Sequence, residues 1–388
     1  MGVSGITFSG LSRLDIRLGS GGSTIAGSPI GNTLTVLDID PLTHVSADGG
    51  TSTNDSAALR ASGDFDGELD FTSFEHIGVN ASGNFNGVVD DTASGHTEQV
   101  LIGGSLGVNG RVIAVILDSL IIGGDLAGTV TVAQTLGNLS VGGSISGSVT
   151  ESGTINSLTI GGSLAPTGMV NAVNGTDPTQ GNINTLTIAN DLSGVLNISG
   201  AVTSLTVIEG SLTVSGRVSV DHLDRLVIGG DLAGNVWALQ ALSNLDVGGS
   251  VSGLVIESGT IDSITIGGSL ASTAQINAMN FVDPTQANIN NLSIVHDLAG
   301  QVNVMGTVHN LIVLDGSVTS TAWIDLSNLD SFIIGPDGLS VGQNFAGILT
   351  VEGNLVSMRV AGGMPGWLQA GYIGDIAVYG GFGPVVLR

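Results

Sequence analysis

LDSLIIGGDLAG at Leu117–Gly128 returns as LDRLVIGGDLAG at Leu223–Gly234. Three more stretches return at the same offset of 106 residues. ESGTI at Glu151–Ile155 reappears at Glu257–Ile261, GGSLA at Gly161–Ala165 reappears at Gly267–Ala271, and DPTQ at Asp177–Gln180 reappears at Asp283–Gln286. Self-similarity at a fixed period marks a repeat architecture, in which each unit buries its inner face only by stacking on its neighbours.

A shorter motif, L-x-[IV]-G-G-[SD]-[LIV], recurs inside each copy. Its first Leu falls at Leu120, Leu139, Leu158, Leu186, Leu205 and Leu226, in steps of 19, 19, 28, 19 and 21 residues. The second copy repeats those steps through Leu245, Ile264, Leu292, Leu311 and Phe332. Two residues after each start stands a β-branched residue, from Ile122, Val141 and Ile160 to Val313 and Ile334. The residue between varies, as at Ile121, Ser140, Thr159 and Asp246. Apolar positions at i and i+2 around a variable one are the period of a strand with one buried face. A further apolar position follows the Gly pair, as at Leu126, Ile145 and Leu164. The glycines are expected to supply backbone angles that other residues resist.

The expected fold is all-β: a single-stranded parallel β-helix, or β-solenoid, with strands ~4.8 Å apart. Its coils hold 19–21 residues, with one 28-residue coil in each 106-residue repeat. Residues 1–60 read as irregular N-terminal turns or a cap. The solenoid then runs over 61–353, with copies at 117–222 and 223–328, and residues 354–388 form an aromatic cap or docking segment. Aromatics make up only 4% of the chain, as expected of an interior too narrow for large rings.

Composition narrows the function. The chain has no Cys, so disulfides and thiolate metal sites are excluded. It has no Lys, and a net charge of -25 argues against nucleic acid, whose phosphates require cations. No apolar run approaches the ~18 residues of a membrane-spanning helix. The opening MGVSGITFSG lacks the basic and long apolar regions of a secretory leader. That fits a mature or excised segment, or export through a signal elsewhere.

Over roughly 61–353 the 19-residue period and the L-x-[IV]-G-G-[SD]-L-[AS]-G motif with outward Thr and Ser resemble exported bacterial β-solenoids. These are surface proteins of the filamentous-haemagglutinin and autotransporter type. The same features are similar to the Gly-rich repeats of very large planctomycete surface proteins. The resemblance implies a right-handed helix at the cell surface or outside the cell, used for adhesion or as a structural stalk.

The residues themselves offer three candidate sites. Asp64, Asp66, Glu68 and Asp70 place alternate carboxylates on one side of an extended chain, which nominates calcium. The two long coils carry NAVNGTDPTQGN and NAMNFVDPTQAN, excursions of equal offset that suit paired contacts to a glycan, a calcium ion or a neighbouring subunit. Their candidate residues are Asn174, Asp177 and Gln180, and Asn280, Phe281, Asp283 and Gln286. Trp367, Tyr372, Tyr379 and Phe382 concentrate aromatic surface near the C-terminus and suggest self-association. The recurrent Asp125, Asp191, Asp231 and Asp297 alternate with Ser and fit corner residues that cap backbone amides. No catalytic residues are assigned: Arg217, Arg225 and Arg359 are scattered, and the six His show no metal-ligand spacing. The expected function is non-enzymatic and structural or adhesive, in a surface layer or fibre. The alternative is a carbohydrate-active enzyme or glycan-binding module.

The register makes a sharp forecast. Leu158→Asp or Ile160→Asp places a charge in the aliphatic stack and is expected to cost about 4–5 kcal/mol or more. Thr159→Asp should be nearly silent in a thermal melt, because its side chain points outward.

Overall fold

A computed structural model describes residues 13–17, 24–25, 28–29, 33–36, 43–49, 55–74, 76–93, 95–175, 177, 180–280, 282–335 and 342–381. The chain divides into two compact units, Met1–Asn184 and Thr185–Arg388. Each is a β-solenoid of parallel strands. The helical content among the described residues is one short 3-10 turn, Pro284–Gln286.

One coil of the first unit shows how the motif folds. Ser119, Leu120, Ile121 and Ile122 pair with Asn138, Leu139, Ser140 and Val141 of the next coil. The chain turns at Gly123, Gly124 and Asp125, and Leu126 then makes a single bridge to Ile145. It turns again at Ala127 and Gly128, and Thr129–Val141 opens a third run before bending into the next coil. Leu120, Ile122, Leu126, Val130 and Val132 are all buried, whereas Ile121 and Thr131 face outward. Thr159 is likewise exposed between buried Leu158 and Ile160.

Stacking produces columns of like residues. In the first unit Val45, Leu69, Val89, Val112, Val130, Val149 and Val170 form one inward column in unbroken register. In the second unit Leu205, Leu226, Leu245, Ile264, Leu292, Leu311, Phe332, Met358 and Ile376 form another. Burying each such side chain contributes about 1.5–3 kcal/mol, so the columns supply the main driving force. Parallel pairing extends beyond the sharp motif at both ends. Arg13–Arg17 pairs with His44–Asp48, and Trp367–Val378 pairs with Ile348–Val360.

Two expectations require correction. The interior does accept large rings: Phe65, Phe71, Phe74, Phe85, Phe332 and Phe345 are all fully buried. Phe65 and Phe85 occupy the single-bridge column that Leu106 and Leu126 continue, and their rings stack at 5.3 Å. The corner glycines, in turn, are not there for unusual backbone angles. Positive φ among the described glycines occurs at Gly95, Gly335 and Gly342. The first Gly of each pair is required by space instead. A Cβ on Gly142 would overlap the carbonyl oxygen of Gly123 one coil before, and a Cβ on Gly161 would overlap that of Gly142. The same holds for Gly248 over Gly229 in the second unit.

The residue after the Gly pair locks the corner. Asp64 Oδ1 accepts the Asn84 N–H at 2.7 Å, and Asn84 Oδ1 accepts the Ser105 N–H at 2.9 Å. Ser105 Oγ accepts from Asp125, Asp125 from Ser144, and Ser144 from Ser163. In the second unit the ladder runs Asp191, Ser211, Asp231, Ser250, Ser269, Asp297, Ser317, Asn344 and ends on Gly363 N–H. Each side-chain oxygen satisfies a backbone donor that the turn would otherwise leave unpaired.

Gly142→Ala should therefore destabilise the protein by about 1–3 kcal/mol, because its new methyl meets backbone. Gly78→Ala, which meets nothing within 4 Å, should leave the melting temperature unchanged or slightly raised.

Candidate functional site

The acidic stretch from Asp64 to Asp70 does not converge on one point. Asp64 serves the corner ladder, and Asp66 Oδ1 accepts the Asn86 side-chain amide at 2.9 Å. Glu68 and Asp70 belong to the strand Glu68–Thr72, in register with His44–Asp48 one coil earlier. There His44 Nε2 lies 3.0 Å from Asp70 Oδ2, and His44 Nδ1 lies 3.5 Å from Glu68 Oε2. His44, Glu68 and Asp70 are the one group of metal-ligand type among the described residues. The sequence reading overlooked His44. The signal that identifies it is parity: Val45 and Ala47 point inward like Leu69 and Phe71, which sets His44 beside Glu68.

The candidate polar side chains of the long coils are largely engaged by their own loops. Asn174 Oδ1 accepts the Asp177 N–H at 3.0 Å, and Gln180 N–H donates to Asp177 O. In the second loop Asn280 Oδ1 accepts the N–H groups of Val282 and Asp283. Asp283 Oδ1 accepts both the N–H and the hydroxyl of Thr285, and the Thr285 hydroxyl foremost holds this carboxyl below its ordinary range. The Gln286 side chain also bonds Asp283. The loop is fastened beneath by the Thr260 hydroxyl donating to Gln286 O, and onward by the Thr307 N–H donating to Asn288 Oδ1. Phe281 lies outside the described residues.

Both loops leave one coil after a buried glutamate, stacked on the corner that follows it. Val173 N–H donates to Glu151 O, and Met279 N–H donates to Glu257 O. Glu151 and Glu257 have no exposed surface. Each stands in an inward column of small aliphatic residues, between Val132 and Ala172 or between Ala238 and Ala278. One oxygen accepts the N–H of the Gly two residues on, and Oε2 has no partner. Burial pushes both carboxyls from 4.5 up to about 7, against the lowering effect of those backbone bonds. The ESGTI repeat marked these positions without revealing that the Glu points inward.

The aromatic candidates fall into separate places. Trp323, Ile348 and Trp367 occupy adjacent coils in register, each exposed, at 50%, 37% and 43% of their surface. Trp323 and Trp367 are thus ~9.6 Å apart at two strand spacings. Tyr372 is exposed five residues further along the same strand, past its bend. Tyr379 follows the end of that strand, also exposed. Phe382 lies outside the described residues. A parallel outward column, Asp325, Thr350 and Gln369, flanks the Trp column two residues along each strand. By contrast, Trp237 in the same unit is covered by Arg217, whose guanidinium carbon lies 5.6 Å from the ring centroid.

The buried glutamates set a pH dependence. Below pH 4.5 both folded and unfolded chains hold these protons. Between 4.5 and about 7 the unfolded chain releases them while the folded one keeps them, so this pair lowers stability as pH rises. Glu151→Gln with Glu257→Gln should raise the apparent melting temperature at pH 8 and leave it nearly unchanged at pH 4. Differential scanning calorimetry across that range reads the effect.

Comparison of the chain with protein-family models, with curated proteins and with solved structures finds no match in any of the three.

Proposed function

We propose that the chain is a non-enzymatic structural and adhesive β-solenoid that works outside the cell and grips a neutral polysaccharide along the column Trp323, Ile348 and Trp367. The exposed Trp column carries this reading. Two indoles held by strand pairing at a fixed spacing offer flat apolar platforms, and Asp325, Thr350 and Gln369 offer hydrogen-bonding groups beside them. Sugar rings present an apolar C–H face and polar edges, which matches that pairing of surfaces. A contiguous exposed apolar strip on a chain of net charge -25 also signals contact with a partner. An uncharged glycan meets no repulsion from that surface, whereas a second copy does. A hollow between Leu59, Phe65, Leu69, Val79 and Phe85 has room for about 10 Å³, too little for a ligand. The resemblance to exported adhesive solenoids supports the extracellular setting.

Trp323→Ala with Trp367→Ala should abolish retardation of the protein in gels containing neutral polysaccharide, while far-ultraviolet circular dichroism stays unchanged. Retention equal to the parent would reject the glycan role. A loss of oligomers in light scattering with glycan retention intact would reassign the column to self-association.

A further inference from the structure

We propose that His44, Glu68 and Asp70 form a binding site for a divalent metal ion of the zinc class. The three come from adjacent coils, on strands whose register is fixed by parallel pairing, so their backbones are already organised. One oxygen from each carboxylate and one ring nitrogen all lie within 4.8 Å of one another. A metal takes one of the two ring nitrogens: Nε2 stands 3.0 Å from Asp70 Oδ2, the separation that metal bonds of ~2.0–2.2 Å set between two ligands, and the Glu68 carboxylate joins them by turning from its 3.5 Å contact with Nδ1.

The imidazole geometry adds a second reason. Both ring nitrogens face a carboxylate oxygen. A neutral imidazole carries one N–H, so one of the two contacts then opposes lone pairs unless a cation lies between them. His44 faces two carboxylates, one at each ring nitrogen, whereas the His309 contact is with Asp330.

The surroundings are short of other cations. Asp70 lies next to Asp90 in register, and like charges side by side on paired strands repel. Asp90 turns its Oδ1 to the N–H and hydroxyl of Thr92. Arg13 is in register with His44, but its Nε pairs with Asp15 at 2.9 Å. The chain has no Lys to intervene. Imidazole with two carboxylates suits zinc, cobalt or manganese, with water completing the shell. Calcium prefers six to eight oxygen ligands and fits this set poorly.

Titration of the full chain with Co²⁺, followed by visible absorption, tests the site. One saturable equivalent displaced by Zn²⁺ is expected. His44→Gln and Asp70→Asn should each weaken it at least about tenfold, and Glu68→Gln should also weaken it. His309→Gln, which removes an imidazole that faces Asp330, should leave it unchanged. Circular dichroism confirms that each variant keeps its β structure. Undiminished Co²⁺ binding by His44→Gln would show that acidic surface alone collects the metal, and would overturn the proposal. So would equal displacement by Ca²⁺. Absence of saturable binding in the parent chain would also overturn it, and would leave His44 as an imidazolium bridge between two carboxylates.

Discussion

Parallel pairing between each coil and the next is the constraint on which the rest of each unit depends. It repeats every feature at one strand spacing, so a residue is judged mainly against its equivalents directly before and after it. A Val column is favourable because Val packs on Val. A corner glycine is obligatory because the preceding coil's carbonyl occupies the place of a Cβ. An Asp or Ser at the corner is favourable because the next coil presents a backbone N–H where its oxygen points. None of these effects is visible within a single coil.

This explains which parts of the molecule the sequence reveals. Leu158, Thr159 and Ile160 declare their directions through strict alternation, and the strand ladder follows from the 19-residue step. The reason for the glycines stays hidden, because the clash that excludes a side chain comes from a residue one coil away. The N-terminal coils are hidden for another reason. His44 is aligned with Arg13 and Glu68, steps of 31 and 24 residues, and no L-x-[IV]-G-G motif marks them. Trp323 and Ile348 are likewise separated by an irregular step of 25 residues, so their shared column emerges only once strands are paired. Glu151 was legible in principle. It shares the parity of Val149, and in a strand that parity means inward.

Charge is handled in two ways within the same architecture. On outer faces, a surface without Lys uses imidazoles as local partners for carboxylates, at His76, His96 and His309 as well as at His44. Such exposed pairs individually stabilise the fold little. Inside, two glutamates occupy equivalent positions in the two sequence repeats, next to the corners from which the long loops depart. Their local bonds to Gly153 and Gly259 close the bend one coil before each loop.

The corner ladder also has a grammar. Each rung requires one short side chain with an oxygen, and that oxygen binds an amide hydrogen carried by any residue except proline. The acceptor is thus specified by sequence, while the donor is generic. Asp, Ser and Asn interchange along it without altering the connection. A whole coil can then be lost, gained or traded by unequal recombination, and the break heals because the new neighbour always brings a matching donor. A gene built this way lengthens by copying blocks, and the 106-residue duplication has the form such copying would leave.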